Sequence, residues 1–164
     1  MKSDRTAPKR RGNELLALAA LLGASAFVAV AGGLVTATSV GDWYAGLAKP
    51  TFSPPNWLFG PVWTTLYVMM AVAAWRVWKK AGVDKELALY GGQLILNLIW
   101  SFLFFGLKLP GLALLEILLL WLAIAATALV FLERDRIAAA LMLPYWAWVS
   151  FAAVLNGAIW ALNR

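Results

Sequence analysis

The sequence predicts an all-α fold, an integral membrane bundle of five transmembrane helices, and three observations carry that prediction. The 164 residues are 63% hydrophobic and only 13% charged, with a mean hydropathy of +0.77, too apolar for an ordinary soluble domain. Five apolar runs are each long enough to cross a hydrocarbon core, which takes about 20 residues at roughly 1.5 Å of rise. The charged side chains gather at the ends of those runs. Inside lipid the backbone N–H and C=O groups have no water to bond, so crossing runs must satisfy them internally as helices.

In chain order, residues 1–13 read as a basic cytoplasmic tail and residues 14–164 as one five-helix domain, with a lid loop over 40–61. The first apolar run covers 15–37. Its start also mimics a secretory signal, with Lys9-Arg10-Arg11 ahead of an apolar stretch and Ala24-Ser25-Ala26 as an A-x-A site. The run continues through Val35, longer than a signal core, so a retained first helix is expected. The second and third runs cover 57–75 and 87–107. The fourth, 109–132, opens with Pro110 in its first turn and carries Glu116, the single carboxylate within a run, and the fifth covers 137–162.

The basic residues orient the bundle. Lys2, Arg5, Lys9, Arg10 and Arg11 precede the first run; Arg76, Lys79, Lys80 and Lys85 lie between the second and third; Arg134 and Arg136 lie between the fourth and fifth. The opposite side holds Lys49, Lys108 and Arg164. The positive-inside rule puts the N-terminus in the cytoplasm and the lid loop and C-terminus outside, in the cell membrane. The net charge of +6 does not indicate nucleic acid, because the cations form no aromatic-interleaved face. With no cysteine and no histidine, disulfides, thiolate metal sites and the usual general base are excluded, and no cofactor is expected.

The lid loop is stiff. Pro50, Pro54, Pro55 and Pro61 fix φ at four points and push the residues before them toward extended backbone, so Trp43, Tyr44, Phe52, Trp57 and Phe59 are held in place. Beneath it, three runs carry aromatic and polar residues at helical spacing. Trp63 and Tyr67 are four apart; Gln93, Asn97 and Trp100 form one stripe; Tyr145, Trp148, Ala152, Leu155 and Asn156 form another. Amides facing lipid are costly and turn inward, either as interhelical hydrogen bonds or as the wall of a pocket. Three such stripes under a stiff loop favour a cavity, mostly apolar with a few placed polar groups.

Other residues stay open between two readings. Gly32 and Gly33 permit close approach either of a helix or of a flat ligand. Glu116, about two turns into its helix, is either an interfacial residue stabilised by the helix dipole or a pocket or proton-linked group. Trp75, Trp78 and Trp160 sit near run ends, where indoles favour the membrane interface, and Trp121 faces lipid or packs within the bundle.

The loop and the start of the second run read W-Y-x-x-L-x-K-P from Trp43, P-P-x-W from Pro54 and V-W-x-x-L-Y from Val62. The third run reads Y-x-x-Q-L-x-L-N from Tyr90, then Trp100 and Phe104-Phe105-Gly106, and the fifth reads P-Y-x-x-W from Pro144, Phe151-Ala152 and Val154-Leu155-Asn156. This pattern closely resembles the translocator protein/TspO family, also called tryptophan-rich sensory proteins. The resemblance implies a five-helix membrane protein, often a homodimer, that binds porphyrins, sterols and isoquinoline-type ligands under the first loop. It carries ligand-lining roles to Gly33, Phe59, Val62, Asn97, Trp100, Ala152 and Leu155. Some bacterial members promote light- and oxygen-dependent porphyrin breakdown, with two tryptophans that match Trp63 and Trp148. Three departures stand out: no tyrosine in the sterol-recognition segment 155–164, Ser101 and Phe102 where the family has prolines, and Leu112 where it has a lining tryptophan.

The expected function is therefore that of a membrane ligand-binding protein, a sensor or transporter for tetrapyrroles such as protoporphyrin or similar hydrophobic molecules, with the lipid bilayer as its other partner. Lys49 or Tyr67 would meet a propionate. The alternative is enzyme-like porphyrin degradation through Trp63 and Trp148; the sequence offers no conventional acid-base pair or nucleophile, so binding is preferred to catalysis. A third reading, proton-coupled efflux, would rest on Glu116.

Overall fold

The computed structural model describes residues 7–164, with side chains from Gly12 onward. The helices are α1 (Ala7–Val40), α2 (Trp43–Gly46), α3 (Asn56–Ala81), α4 (Lys85–Ser101), α5 (Pro110–Arg134) and α6 (Arg136–Leu162); a π-helical turn, Phe102–Gly106, extends α4. All but α2 are long and apolar enough to cross a membrane, so the five expected spans are present. Residues 7–13 continue α1, while residues 1–6 of the basic tail lie outside the described residues.

Local chemistry places the helix ends. Pro110 opens α5, where its missing N–H costs nothing. Asp135 is the single residue between α5 and α6; its carboxylate accepts from the N–H groups of Ile137 (2.8 Å) and Ala138 (3.1 Å), capping α6. The same carboxylate pairs with Arg76 and Lys80, each at 3.0 Å, and tethers α3 to this joint. Burial pushes the Asp135 carboxyl up, but the Ala138 N–H, Lys80, Arg76 and the Ile137 N–H together outweigh it and hold it well below the usual carboxylate range. Arg134 and Glu86 (2.8 Å) pin α5 to α4 beside it. This charged face is the basic end of the bundle; the lid loop marks the other, loop end.

The spans form a closed ring in the order α1, α3, α6, α5, α4, each packed on its neighbours. Toward the basic end the centre is filled: Met70, Val77, Ile124, Phe131 and Met142 are fully buried. A smaller cluster of Tyr44, Phe104, Ala113, Leu155 and Ile159 sits under the lid. Between the two the ring encloses a cavity.

Candidate ligand cavity

The cavity holds about 430 Å³, within the range of small-molecule sites, and is walled by α1, α3, α4 with its π-turn, and α6 beneath the lid. Its walls are aromatic faces. Trp63 of α3 leans on Tyr67 (ring centroids 5.6 Å apart) and meets Tyr145 edge-on at 6.1 Å. Trp100 of α4 stacks on Phe104 at 5.4 Å and meets Phe105 edge-on at 6.0 Å. The π-turn puts Phe104 and Phe105 in this position, with Leu107 N–H bonding back to the Phe102 carbonyl (2.8 Å) and the Ser39 hydroxyl of α1 satisfying the Phe105 carbonyl (2.7 Å). Small residues leave the space between these rings open: Gly33 on α1, Gly60 on α3 and Ala152 on α6.

The polar atoms of the wall bond to one another. The Tyr67 hydroxyl donates to Asn97 Oδ1 (2.5 Å), and Asn97 Nδ2 donates to the Tyr145 hydroxyl (3.2 Å), joining α3, α4 and α6 across the floor. Trp100 Nε1 donates to Asn156 Oδ1 (3.1 Å), while Asn156 Nδ2 donates to the Pro110 carbonyl (2.8 Å). For Asn97 and Asn156 both readings are met, since they tie helices together and also line the cavity, whereas Gln93 is fully buried with neither amide atom partnered and does not line it.

The lid closes the loop end. Tyr44 is buried against Phe104 and Phe105. Burial raises the Tyr44 phenol above its ordinary range, against a smaller lowering by Ser53, so it is a neutral hydroxyl. Asn163, just past α6, grips the Ala48 backbone at both N–H (3.0 Å) and C=O (2.9 Å). The Lys49 ammonium bonds the Ala45 (3.1 Å) and Leu47 (3.3 Å) carbonyls and lies 4.8 Å from the centre of the Tyr44 ring. It is occupied in the loop itself, not offered to the cavity.

Five long apolar helices would suit many membrane proteins, but a proline-stiffened aromatic lid over a Trp63–Asn97–Trp100–Asn156 wall is a narrower specification, and comparison with known proteins gives it a family. Residues 19–161 match the TspO/MBR family. The chain belongs to that family. It is 42% identical over 154 residues to the tryptophan-rich protein TspO of Chlorobaculum tepidum, covering 92% of this chain and 98% of that one. It is 44% identical over 127 residues to the translocator protein of Homo sapiens, covering 74% and 75%. Protein CrtK of Rhodobacter capsulatus is 39% identical over 140 residues, covering 82% and 87%.

Of the positions marked in the TspO/MBR sequence pattern, Gly33, Phe59, Trp63, Tyr67, Asn97, Trp100, Ala152 and Leu155 stand on the cavity wall. Val62 instead packs against the central core, and Trp148 stands behind Phe59, edge-on at 5.8 Å, with its indole N–H buried and unpartnered. The two glycines of α1 part company: a Cβ at Gly32 would meet Ser101 Oγ at 3.2 Å, so Gly32 serves helix packing, whereas one at Gly33 would meet nothing within 4 Å. Glu116 is buried at 6% exposure with both carboxylate oxygens unpartnered, and it does not line the cavity. Trp121 packs within the bundle, donating to Ser150 Oγ at 2.8 Å and lying against Trp146. Sequence reasoning missed the rest of the α1 wall, namely Ala29, Thr36, Ala37 and Val40; their helical recurrence was the available signal, hidden in a run that is apolar on most faces.

Proposed function

We propose that this TspO/MBR protein is a membrane sensor or transporter that binds a tetrapyrrole such as protoporphyrin in the cavity under its lid, with Gly33, Phe59, Trp63, Tyr67, Asn97, Trp100, Ala152 and Leu155 as the contact residues. The observation that carries the reading is the wall itself: flat indole and phenyl faces around an open volume, whose polar atoms already bond to each other. A planar aromatic macrocycle gains ring stacking there at small conformational cost. With Lys49 held in the loop and Tyr67 bonded to Asn97, the acidic edge of the guest is directed to the mouth, where Asn56 is exposed. The basic end faces the cytoplasm in this reading, by the distribution of Arg and Lys.

Binding is preferred to degradation because among the described residues no carboxylate or amine lines the cavity to activate the hydroxyls of Thr36, Thr64 and Ser101, which bond to backbone carbonyls, and Trp148 stands one aromatic layer behind it. Purified protein mixed with protoporphyrin in the dark should show saturable tryptophan quenching at micromolar pigment. Trp100→Phe should weaken it about fivefold, the effect of roughly 1 kcal/mol of lost ring contact. Absence of saturable quenching would remove tetrapyrroles as the guest. Loss of pigment in light, abolished by Trp63→Phe with Trp148→Phe, would convert the reading to the degradative one.

A further inference from the structure

The cavity wall is not equally enclosed all round. Of its lining residues, those on α4, the π-turn and α6 are buried or half-buried, and so is Tyr44 of the lid. The exposed ones are Gly33, Ala37, Asn56, Gly60 and Thr64, and every one belongs to α1 or α3. These two helices are neighbours in the ring, so the exposed part of the wall lies along the flank they share. We infer that the cavity is filled and emptied sideways from the bilayer through this flank, between α1 and α3, and not through the lid. The inference rests on the ligand-binding reading and names its substrate class more closely: a flat amphiphile already dissolved in the membrane, ring inward and polar edge at the headgroups.

Four observations support the lateral mouth. First, its sills are made of absent side chains: a Cβ added at Gly33 or Gly60 meets no atom within 4 Å, so neither glycine is there for helix packing. Second, the hydroxyls at the mouth need no water. Thr64 Oγ1 donates to the Gly60 carbonyl (2.9 Å) and Thr36 Oγ1 to the Gly32 carbonyl (2.8 Å), which leaves the rim acceptable to hydrocarbon. Third, the mouth lies at membrane depth. Thr64 is eight residues into α3 and Gly33 seven before the end of α1, about 12 and 10 Å along their helices, while Asn56 at the start of α3 marks the polar level. Ala37 continues the outward face of Val30, one of the most exposed apolar residues of α1 at 62% exposure. Fourth, the loop end is held by the buried Tyr44 and by the two bonds between Asn163 and Ala48, one donated by each.

The test measures exchange rates in lipid vesicles. Protoporphyrin carried in the vesicle membrane is followed by tryptophan quenching after mixing, and its release by transfer to empty vesicles. Ala37→Leu with Thr64→Leu, at the exposed mouth and outside the contact residues, should slow uptake and release together by tenfold or more, with the binding midpoint moving less than threefold; Asn163→Ala should change either rate less than twofold. Unchanged rates in the Ala37–Thr64 pair, or a tenfold acceleration by Asn163→Ala, would overturn the lateral route. The chain has no cysteine, so a nitroxide on Thr64→Cys gives a second readout that needs no ligand. Collision with dissolved oxygen exceeding collision with a water-soluble nickel chelate is expected; the opposite order would overturn the mouth. Should wild-type protein fail to quench, the tetrapyrrole reading falls while the nitroxide still decides the mouth.

Discussion

The two ends of the same five helices differ in what fills them. Toward the basic end, Met70, Val77, Phe131 and Met142 occupy the ring completely, and the Asp135 carboxylate draws α3, α5 and α6 together. Toward the loop end, Gly33, Gly60 and Ala152 face a space of about 430 Å³ that the rings of Trp63 and Trp100 border without filling. Lipid tails are as apolar as leucine side chains, so helix association here depends on packing contact and polar bonds more than on hydrophobic burial. One half of the bundle supplies the packing that lets the other half stay open.

The largest expected effect lies in the filled half. Phe131→Ala should lower unfolding stability by about 3 kcal/mol, the low end for truncating a buried aromatic, whereas Phe104→Ala beside the existing cavity should cost less than about 1.5 kcal/mol. Denaturation in mild detergent measures both; equal losses would erase the distinction between the ends. Next comes the clasp. Asp135→Ala should cost about 2 kcal/mol through the lost cap and the two cations left without a partner. Because the native carboxyl is held below its ordinary value, its contribution is complete above the ordinary pKa and is lost as pH falls. The thermal midpoint should therefore be flat from pH 8 to 5 and drop below about pH 4, and Asp135→Asn should shrink that drop, with the Glu86–Arg134 pair carrying the remainder. The smallest effect on folding, and a decisive one on binding, is expected at Ala152. Ala152→Leu should weaken protoporphyrin tenfold or more, about 1.4 kcal/mol, while stability moves by less than about 0.5 kcal/mol, because the added methyls enter open space.

The spans and the site were unequally legible. Each span is a local fact, since about 20 apolar residues cross as a helix whatever their neighbours are. Aromatic and amide stripes at helical spacing also marked Trp63, Tyr67, Asn97, Trp100 and Ala152, all of which meet at the cavity. Glu116 was not legible. Its distance from Pro110 speaks only to depth along the helix; the face of α5 on which it lies decides its burial, and that face is chosen by α4 and α6 packing on α5. Lys49 was misleading in a similar way, because a cation near a pocket looks available until the carbonyls of Ala45 and Leu47 are folded around it.

By itself the sequence determined that the chain spans the membrane five times, that a proline-rich aromatic loop joins the first two spans, and that polar stripes turn inward, because length, apolarity and helical period act over neighbouring residues. Only the tertiary structure decided which of two adjacent glycines packs and which opens. Gly32 and Gly33 are identical in chemistry and one residue apart, but a turn of about 100° along the helix sets one against Ser101 and leaves the other at the mouth of the cavity.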